Sequence, residues 1–462
     1  MSAPPLADVA ARAAQRAPDA ATVATLADSL SRALGPTQVS TMEAARRAAS
    51  TDFAHLSPLL PVVLPDRPAD IVVNPRDAAG VVTAVRLAHA AGVPVTPRGR
   101  GTGNYGQAVP LAGGLVIDQS QCDRVLEVGE GWIRAEAGAT FVALEAAARQ
   151  RGQELTMLPT TVGSTIGGFL AGGAGGLGSI QHGWLWDGFA LNLDIVGCPP
   201  AEGPVTVHGG RCRPYLHAYG VTGLITAVTV RLAPARDWEA VLASFPAGPG
   251  PDHGAGALAA ARALLHLEPA PRLVSLDEPD LVATYPADAA MPPGRYSLRA
   301  IVDAAAVGLV REIVAGAGGR VEAVRADGAG YLATFAFNHV TLRARRARPD
   351  LVHLQVSGEA LVADGEAVRA ALPGAMLHLD GLRLFLDRAD PARGRHFGGL
   401  LLSRFHDAAT LYRGIDRLSD LGVQVVDPHS WLLDGPALAD IRARAAANDP
   451  AGLLNPGRFP DS

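Results

Sequence analysis

Two glycine-rich segments are the parts of this 462-residue chain whose residue types and spacing suggest chemistry. The first segment, at 98–106, reads RGRGTGNYG and places four glycines within eight positions. Glycine leaves backbone N–H groups unobstructed, and successive free N–H groups form nests that bind phosphate oxygens. Arg98 and Arg100 can add positive charge, although solvated surface arginines and a purely structural turn are the alternatives. The segment therefore predicts a phosphate site.

The GTGNYG sequence at 101–106 also matches the glycine pattern of a Rossmann dinucleotide loop. Such a loop must open a helix whose N-terminus faces the pyrophosphate. Here QAVPLAGGLVID follows, with Pro110, Gly113 and Gly114 before an apolar strand, so no helix fits. The Rossmann interpretation is therefore disfavoured, whereas the phosphate nest does not depend on it.

The second segment, at 160–179, reads TTVGSTIGGFLAGGAGGLGS and has eight glycines in sixteen positions. Glycine loses the most conformational entropy on folding, so packing alone is not expected to select so many. Close approach of the backbone to a flat or phosphate-bearing ligand explains them. Four hydroxyl side chains are available to the same ligand: Thr160, Thr161, Ser164 and Thr165.

Composition excludes several other classes of chemistry. All forty basic residues are arginine, which excludes P-loop NTPases, pyridoxal-phosphate enzymes and Schiff-base enzymes, because each needs a lysine. The formal net charge of -5 argues against a nucleic-acid partner. No HExxH, GxSxG or metal-spaced His/Cys cluster occurs, so no metal is expected. Cys122, Cys198 and Cys212 are expected to be reduced thiols.

One uncharged stretch, at 155–181, is long enough for a membrane span. Its glycines, hydroxyl residues and proline are unsuited to a lipid-facing helix. The N-terminus has an acidic residue or arginine every few positions, which indicates an amphipathic helix rather than a signal peptide. We therefore expect a cytoplasmic protein without a membrane span.

Strands and helices alternate around these segments. Apolar strands and amphipathic helices are predicted before residue 235 as follows: strands at 71–73, 93–97, 115–118, 132–136, 191–196 and 224–232, and helices at 77–91 and 140–151. Asn74-Pro75 is expected to cap the first of these helices. A strand at 296–303, a helix at 304–317 and a strand at 320–324 predict a second region of βαβ type with its own core.

The two segments, in this order and about sixty residues apart, resemble the vanillyl-alcohol-oxidase family of flavoproteins with its PCMH-type FAD-binding domain. PADIVVNPRDAAGVVTAVRLAHAAGVPVTPRGRGTG is similar to the opening of that domain, and GVTGLITAVTVRL at 220–232 to its closing strand. NDPAGLLNPGRF at 448–459 is similar to the C-terminal signature of the family. FNHVTLRARR at 337–346 and DPHSWLL at 427–433 are similar to bacterial glycolate-oxidase-subunit-like FAD-linked oxidoreductases.

The resemblance implies an α+β fold. It consists of a two-part PCMH-type FAD-binding domain, an α/β cap domain for the substrate, and a C-terminus that returns to the FAD domain. The expected parts are an N-terminal helical region at 1–52, the FAD-binding domain at 53–235, the cap at 236–425 and the returning segment at 426–462. A loop rich in glycine and proline at 245–256 fits a boundary.

The resemblance further implies FAD in an extended pose, with its diphosphate on the first loop and its ring at the domain interface. The cofactor-binding residues implied in the first loop are Arg98, Gly99, Arg100, Gly101, Thr102, Gly103, Asn104 and Gly106. Those implied in the second segment are Pro159, Thr160, Thr161, Gly163, Ser164, Thr165, Gly167, Gly168, Gly172, Gly173, Gly175 and Gly176. Ile225 is implied beside the adenine, and Asn455 belongs to the returning signature.

Two departures from the family concern how the flavin is held. Many relatives attach the flavin through a histidine at the position of Thr102, and some add a cysteine in the second segment, where this chain has none between 155 and 181. FAD is therefore expected to bind noncovalently. The usual C-terminal lysine is Arg458 here, which keeps the charge but changes its geometry.

Hydride transfer to a flavin requires a substrate C–H over the ring and a base for the departing proton. His339 is the first candidate base and His429 the second, with a hydrogen-bonded structural histidine as the alternative for each. Asn338 is a candidate to orient a substrate oxygen. Tyr105 is a candidate to border the flavin ring, with a packed structural tyrosine as the alternative. The arginines at 343–346 either clamp a carboxylate or form a solvated face.

The implied function is oxidation of a small alcohol or 2-hydroxy acid, with electrons passing to oxygen or another acceptor. The expected partner is a small-molecule substrate, and a homodimer is one option. The alternatives are natural-product tailoring of the berberine-bridge-like type and a flavin-binding subunit of a larger redox complex. NAD binding of Rossmann type is an outside alternative.

Overall fold

The N-terminal region is largely helical, and the computed structural model describes residues 4–248, 254–383 and 394–461 of the chain. The Asp19 carboxylate begins the second helix by accepting a hydrogen bond from the Thr22 N–H at 2.8 Å. A two-residue strand interrupts the predicted helical region. It was not predicted, because so short a strand leaves no alternating pattern in the sequence. The elements are α1 (Leu6–Ala14), α2 (Ala20–Leu34), β1 (Val39–Ser40), α3 (Glu43–Ala49) and α4 (Leu60–Val63).

The first sheet carries the first glycine-rich loop at its edge. Its strand order is β1-β2-β4-β3, with β2 (Ile71–Val73), β3 (Val95–Arg98) and β4 (Leu115–Asp118) parallel to one another. Helix α5 (Ala78–Ala90) packs its valines on this sheet. The predicted Asn74-Pro75 cap is wrong, because the Asp77 carboxylate accepts the Gly80 N–H at 2.8 Å. The connection at 99–114 contains no helix, which confirms that this is not a Rossmann loop.

The second sheet is antiparallel throughout and carries the second glycine-rich segment. Its strand order is β5-β6-β10-β8-β9, and β7 pairs with the end of β10. The strands are β5 (Val125–Gly129), β6 (Trp132–Glu136), β7 (Gln153–Leu155), β8 (Ala190–Val196), β9 (Val205–His208) and β10 (Leu224–Pro234). The helices are α6 (Phe141–Arg149), α7 (Ile166–Gly172) and α8 (Ser179–His182). Helix α7 was not predicted, because three of its residues and its C-cap are glycines, which normally disfavour a helix.

The remaining strands form one eight-stranded sheet, ordered β14-β11-β13-β12-β16-β17-β15-β18. The strands are β11 (Trp238–Pro246), β12 (Leu273–Asp277), β13 (Arg295–Asp303), β14 (Arg320–Arg325), β15 (Leu351–Ser357), β16 (Met376–Arg383), β17 (Arg395–Arg404) and β18 (Gln424–Val426). The helices are α9 (Ala255–Leu265), α10 (Pro279–Val282), α11 (Val307–Gly316), α12 (Ala329–Ala333), α13 (Asn338–Ala347), α14 (Ala360–Ala363), α15 (Gly365–Ala370) and α16 (Ala408–Asp420). The predicted loop at 245–256 lies partly outside the described residues.

The eight-stranded sheet, which we call the cap sheet, corrects one prediction. A βαβ pattern implies parallel strands, but every pair in the cap sheet is antiparallel. One face packs on α9, α11 and α16 in an apolar core. The other face shares a core with the second sheet and with α12 and α13. Side chains on that second face are therefore the ones that can approach the glycine-rich segments.

The C-terminus returns to the first sheet after α17 (Leu438–Asn448). Val95 donates its N–H to Leu453 O at 2.8 Å, and Asn455 donates its N–H to Val95 O at 2.7 Å. These bonds extend the parallel sheet beside β3, the strand that leads into the first glycine-rich loop. The predicted return of the C-terminus is confirmed, whereas the four boundaries given above remain a prediction.

Arg458 fastens this return to the loop. Its buried guanidinium donates to Gly106 O at 3.1 Å, to Asn455 Oδ1 at 2.8 Å and to Val109 O. No carboxylate among the described residues hydrogen-bonds to it, and burial lowers the pKa of Arg458. The carbonyl groups that close the loop are therefore held by a desolvated charge.

Within the described ranges, none of the helices is long and apolar enough to cross a membrane. The uncharged stretch at 155–181 is divided among β7, α7, α8 and the turns between them. Cys122, Cys198 and Cys212 are buried free thiols, and burial raises the pKa of each.

Replacing Arg458 by methionine is expected to lower the free energy of unfolding by about 3 kcal/mol, because buried carbonyl groups lose their donors. The surface variant Arg442→Met, which breaks an exposed pair with Asp461, is expected to cost about 0.5 kcal/mol or less. Urea unfolding curves measure both values. Equal midpoints for the two variants would contradict a clamping role for Arg458.

Candidate functional site

The first glycine-rich loop presents unpaired backbone donors. Within the described part of the chain, the N–H groups of residues 100–104 have no hydrogen-bond acceptor. Gly101 and Gly106 have φ of +62° and +78°, conformations that favour glycine. A row of free N–H groups in a tight loop is the geometry that holds phosphate oxygens.

Two side chains add unsatisfied donors to this loop. The Nη1 atom of Arg98 is buried without a partner, and Nη2 makes only a long contact of 3.4 Å to Ala48 O. Burial lowers the pKa of Arg98, although Asp118 and Asp52 oppose that shift. The Nδ2 atom of Asn104 is also buried without a partner. Buried donors are normally satisfied, so these atoms fit an acceptor such as a diphosphate.

A cavity of about 380 Å³ lies at the carboxyl ends of the parallel strands. Asn74, Arg98 and Asp118, which end or follow β2, β3 and β4, line it together with Gly99 and Ser120. Ligands of open parallel sheets commonly bind at this edge. Asn74, Asp118 and Ser120 were not predicted as site residues, because their role depends on strands that are distant in sequence.

The two glycine-rich segments touch. The Oγ1 atom of Thr102 lies 2.8 Å from the Oγ atom of Ser164, which also bonds to Thr161 Oγ1 at 2.7 Å. A β-carbon on Gly99 would lie 2.1 Å from the Oγ1 atom of Thr165. The structure thus brings the first-loop residues and the hydroxyl residues of the second segment to one place.

The glycines of the second segment have two different reasons. For three of them, an added β-carbon would clash with a neighbouring atom. On Gly167 it would lie 2.6 Å from Ala137, and on Gly173 it would lie 2.4 Å from the Phe169 ring. On Gly176 it would lie 2.0 Å from the Leu158 carbonyl oxygen. The prediction that packing does not select these glycines is therefore wrong for these three. No atom lies within 4 Å of a β-carbon added to Gly163, so packing does not explain that glycine.

The remaining predicted cofactor residues differ in accessibility. Ile225 is a buried member of β10, opposite Ile195. Asn455 is 1% exposed, and its Nδ2 donates to Gln107 O at 3.0 Å and Tyr219 O at 2.7 Å. Asn455 thus holds the end of the first loop, and its amide has no donor left for a ligand. Pro159, just before the second segment, and Thr160, its first residue, are both buried.

Two residues that the sequence did not indicate lie beside the second segment. His217 and Tyr219 have φ of 53° and 51°, in the left-handed region that favours glycine. Their N–H groups donate to Leu170 O and Ala171 O, and His217 Nδ1 lies 2.8 Å from Gly173 O. Because a carbonyl accepts there, Nδ1 carries the proton and Nε2 faces Tyr219 OH at 3.3 Å. Such strained positions are typical of functional sites.

A polar group joins the first loop to the cap sheet. The Gln355 side chain on β15 donates to the Tyr105 hydroxyl, and its Nε2 atom lies 3.5 Å from Asn338 Oδ1. Burial raises the pKa of Tyr105, whereas its hydrogen bonds oppose that shift. The structure therefore brings two predicted residues, Tyr105 and Asn338, to one place. Gln355 was missed because an isolated glutamine in a strand carries no local signal.

The two candidate histidines have different surroundings. His339, the second residue of α13, is partly buried, and its Nδ1 atom has no partner. Burial lowers the pKa of His339, and the neighbouring Arg343 lowers it further. His429 is fully buried, with Nδ1 2.8 Å from Ser57 Oγ and Nε2 2.9 Å from His353 O. Since both of its nitrogens are occupied, the structure does not bring His429 into the site.

The arginines at 343–346 do not form a clamp. Arg343 donates to Thr334 O at 2.6 Å, and its guanidinium lies 4.0 Å from the Phe335 ring centre. Arg345 donates to Leu351 O. These two side chains are bonded to groups of the cap itself. The solvated-face interpretation therefore applies only to Arg346.

These features define an FAD-binding domain of the PCMH type: a phosphate nest after a parallel strand, a second glycine-rich segment against it, and a C-terminal segment that completes the first sheet. The FAD binding domain family model matches residues 69–196. The predicted PCMH-type FAD-binding domain, and FAD as the cofactor, are therefore confirmed.

Sequence relatives extend this finding over part of the chain. An uncharacterized FAD-linked oxidoreductase of Mycobacterium tuberculosis is 31% identical over 209 residues, which is 42% of this chain and 44% of that protein. The D-lactate dehydrogenase of Archaeoglobus fulgidus is 29% identical over 188 residues, 38% of this chain and 42% of that protein. The glycolate oxidase subunit GlcD of Bacillus subtilis is 27% identical over 178 residues, which is 36% of this chain and 37% of that protein. The chain therefore spans less than half the length of these relatives.

The whole fold is also similar to a solved structure. Alkyldihydroxyacetonephosphate synthase superposes on 94% of this chain and 86% of its own, with a TM-score of 0.71 and 17% sequence identity. The likeness confirms the predicted fold class, and at this identity it shows the fold alone.

Replacing Gly99 by alanine is expected to raise the Kd for FAD by about tenfold or more, because the new β-carbon would push the two glycine-rich segments apart. The matched control is Gly203→Ala, where no atom lies within 4 Å of an added β-carbon. Titration of apoprotein with FAD, followed by flavin fluorescence, gives both values. The shared site would be refuted by equal Kd values.

Proposed function

We propose that this chain is an FAD-dependent oxidoreductase that oxidises a small alcohol or 2-hydroxy acid. The FAD-binding domain supports the redox class. The names of two relatives, D-lactate dehydrogenase and glycolate oxidase subunit, support the substrate class. The observation that carries the proposal is the polar group of Tyr105, Gln355 and Asn338, because it lies where the first loop meets the cap sheet.

The residues that would hold FAD belong to the two segments already described. The free N–H groups at 100–104, with Arg98 and Asn104, supply donors for a diphosphate. Thr161, Ser164 and their neighbours supply hydroxyl groups for the rest of the cofactor. When bound, FAD supplies an acceptor for a hydride from a donor C–H bond. Thr102 has no nucleophilic group suited to flavin attachment, so we propose noncovalent binding.

The cap side supplies groups for the substrate. Asn338 and Gln355 carry amides, and Tyr105 a hydroxyl, that can bind the oxygen of an alcohol. We assign His339 the role of taking the hydroxyl proton. Its lowered pKa keeps the imidazole neutral near pH 7, and its Nδ1 atom has no partner. The electron acceptor is oxygen or another oxidant.

A second candidate is a flavin-binding subunit of a larger redox complex. One observation favours it: the relative from Bacillus subtilis is named a subunit of glycolate oxidase. Purification of the untagged protein under native conditions separates the two proposals. Stoichiometric association with other redox proteins would favour the subunit, and a single active chain the standalone enzyme.

Anaerobic mixing of the FAD-loaded protein with a panel of D- and L-2-hydroxy acids and small alcohols is expected to bleach the visible flavin absorption. The expected result is reduction by at least one 2-hydroxy acid, because the site has groups for both the substrate oxygen and its proton. Dithionite provides the control for full reduction. Failure of every compound, with full bleaching by dithionite, would refute the proposed substrate class.

Replacing His339 by glutamine is expected to lower the rate of flavin reduction by about 100-fold or more, because the proton acceptor is lost. The neutral imidazole is the active form, and its pKa is lowered by burial and by Arg343, so the wild-type rate should fall only below pH 6.5. This fall of the rate at acidic pH, which we call the acidic limb, should disappear in His339→Gln. Stopped-flow absorbance over a pH series measures both effects.

The matched variant His429→Gln removes the other predicted histidine. It breaks two buried hydrogen bonds, so it is expected to lower the free energy of unfolding while keeping the acidic limb. The opposite pattern, in which the limb disappears only in His429→Gln, would assign the base to His429.

A further inference from the structure

A buried polar network lies on the face of the cap sheet that looks toward α13. Asp277 stands opposite His378 and Ser275 opposite Asp380 across β12 and β16, and Ser275 also stands opposite Arg299 on β13. Residues directly opposite each other in antiparallel strands share a face. The intervening residues, Leu276 and its neighbours in the adjacent strands, belong to the core under the helices on the other face.

The network is closed by short hydrogen bonds. Arg299 Nη1 lies 2.7 Å from Asp277 Oδ2, and His378 lies 2.5 Å from Asp277 Oδ1 and 2.8 Å from Asp380 Oδ2. Ser275 donates to Asp380 Oδ1 at 2.6 Å, and the Tyr285 hydroxyl donates to Asp277 Oδ2 at 2.6 Å. Asp277, Arg299, His378 and Ser275 have no exposed surface, and Asp380 is 2% exposed.

The charges of the network balance when His378 is protonated. The two carboxylates raise the pKa of His378 to about 9, although burial alone would lower it. Arg299 and His378 then face Asp277 and Asp380. Buried ion pairs usually add little to stability, since desolvation offsets their attraction. Stability alone is therefore a poor reason for placing four charged side chains inside the cap.

One contact leads from the network toward the candidate site. Asp380 Oδ2 accepts the backbone N–H of Phe337 at 2.9 Å. Phe337 precedes α13 and has φ of 49°, a left-handed conformation that is strained for an aromatic residue. Asn338 and His339 follow it directly. The direction in which α13 begins, and thus where these two side chains point, is tied to that hydrogen bond.

We propose that this buried network is a positioning device in which Asp380, held by His378 and Ser275, fixes Phe337 and thereby aims Asn338 and His339 at the substrate. Asp380 is a positioning residue and touches neither substrate nor cofactor. The expected effect on catalysis, which is the catalytic consequence, rests on the function proposed above. The structural consequence, that Asp380 fixes Phe337 and the start of α13, does not.

The device is expected to be sensitive to alkaline pH. His378 faces Asp277 and Asp380, whose carboxylates also contact Arg299, Tyr285 and Ser275. Its folded pKa lies above the ordinary value, so the interaction is present at lower pH and lost as the pH rises through about 9. Above that pH two buried carboxylates share one cation, and the hold on Phe337 should loosen.

Amide hydrogen exchange of the FAD-loaded full chain tests the structural consequence. In Asp380→Asn, the peptide covering 335–341 is expected to exchange about tenfold faster than in the wild type. The matched control is Glu278→Gln. Glu278 also accepts a backbone N–H, from Leu377 at 2.9 Å, and pairs with Arg369, but it does not contact Phe337. Equal exchange of this peptide in both variants would overturn the proposal.

The wild type provides a second test that needs no variant, should Asp380→Asn fail to fold. After correction for base-catalysed intrinsic exchange, protection of 335–341 is expected to fall near pH 9, while protection of α17 stays constant. The proposal is overturned if protection of 335–341 shows no step between about pH 8 and pH 10.

Flavin reduction by a substrate tests the catalytic consequence. Asp380→Asn is expected to lower kcat by about 10- to 100-fold with little change in KM, because a misdirected base slows the reacting complex. Glu278→Gln should keep the wild-type kcat. If no substrate reduces the flavin but the exchange results hold, the proposed function fails and the positioning role stands. If reduction occurs and Asp380→Asn keeps the wild-type kcat, the catalytic role of positioning is overturned.

Discussion

Arg458 and the three acceptors it satisfies hold together the part of the molecule that binds FAD. The first glycine-rich loop has few internal hydrogen bonds, and among the described residues the N–H groups of 100–104 have no acceptor. Its shape therefore has to be imposed from outside, and Arg458 does this by fixing the Gly106 and Val109 carbonyls. Asn455 adds a bond to the Gln107 carbonyl. A segment from the far end of the chain thus supplies the rigidity that the loop lacks.

The same constraint explains why the two glycine-rich segments lie together. The first loop and the second segment approach each other closely, and such an approach excludes β-carbons. Gly99 allows this approach against Thr165, and Gly167 of α7 allows it against Ala137, the residue after β6. Close packing of backbone against neighbouring atoms therefore accounts for these two glycines.

The cap contributes polar side chains by a different route. Its antiparallel sheet places alternate residues of β12, β13, β15 and β16 on one face, so residues distant in sequence meet there. Gln355 meets Tyr105 and Asn338 at the edge of that face, and the network around Asp380 lies within it. The first group is half-buried, and the second is buried beneath the start of α13. The hydrogen bond from Gln355 to Tyr105 joins the cap to the first loop, whereas the network around Asp380 stays within the cap.

The sequence by itself determined the strands that flank the first loop and the absence of a Rossmann helix. These follow from local patterns, such as the apolar runs at 71–73 and 115–118 and the glycines that follow β3. The FAD-binding class followed from the resemblance of the two glycine-rich segments to a known family. Only the tertiary structure decided the antiparallel pairing of the cap, the burial of His429 and the contacts of Gln355 and Asp380. Each of these depends on partners from distant segments, and a local pattern carries no information about which strand or helix will supply them.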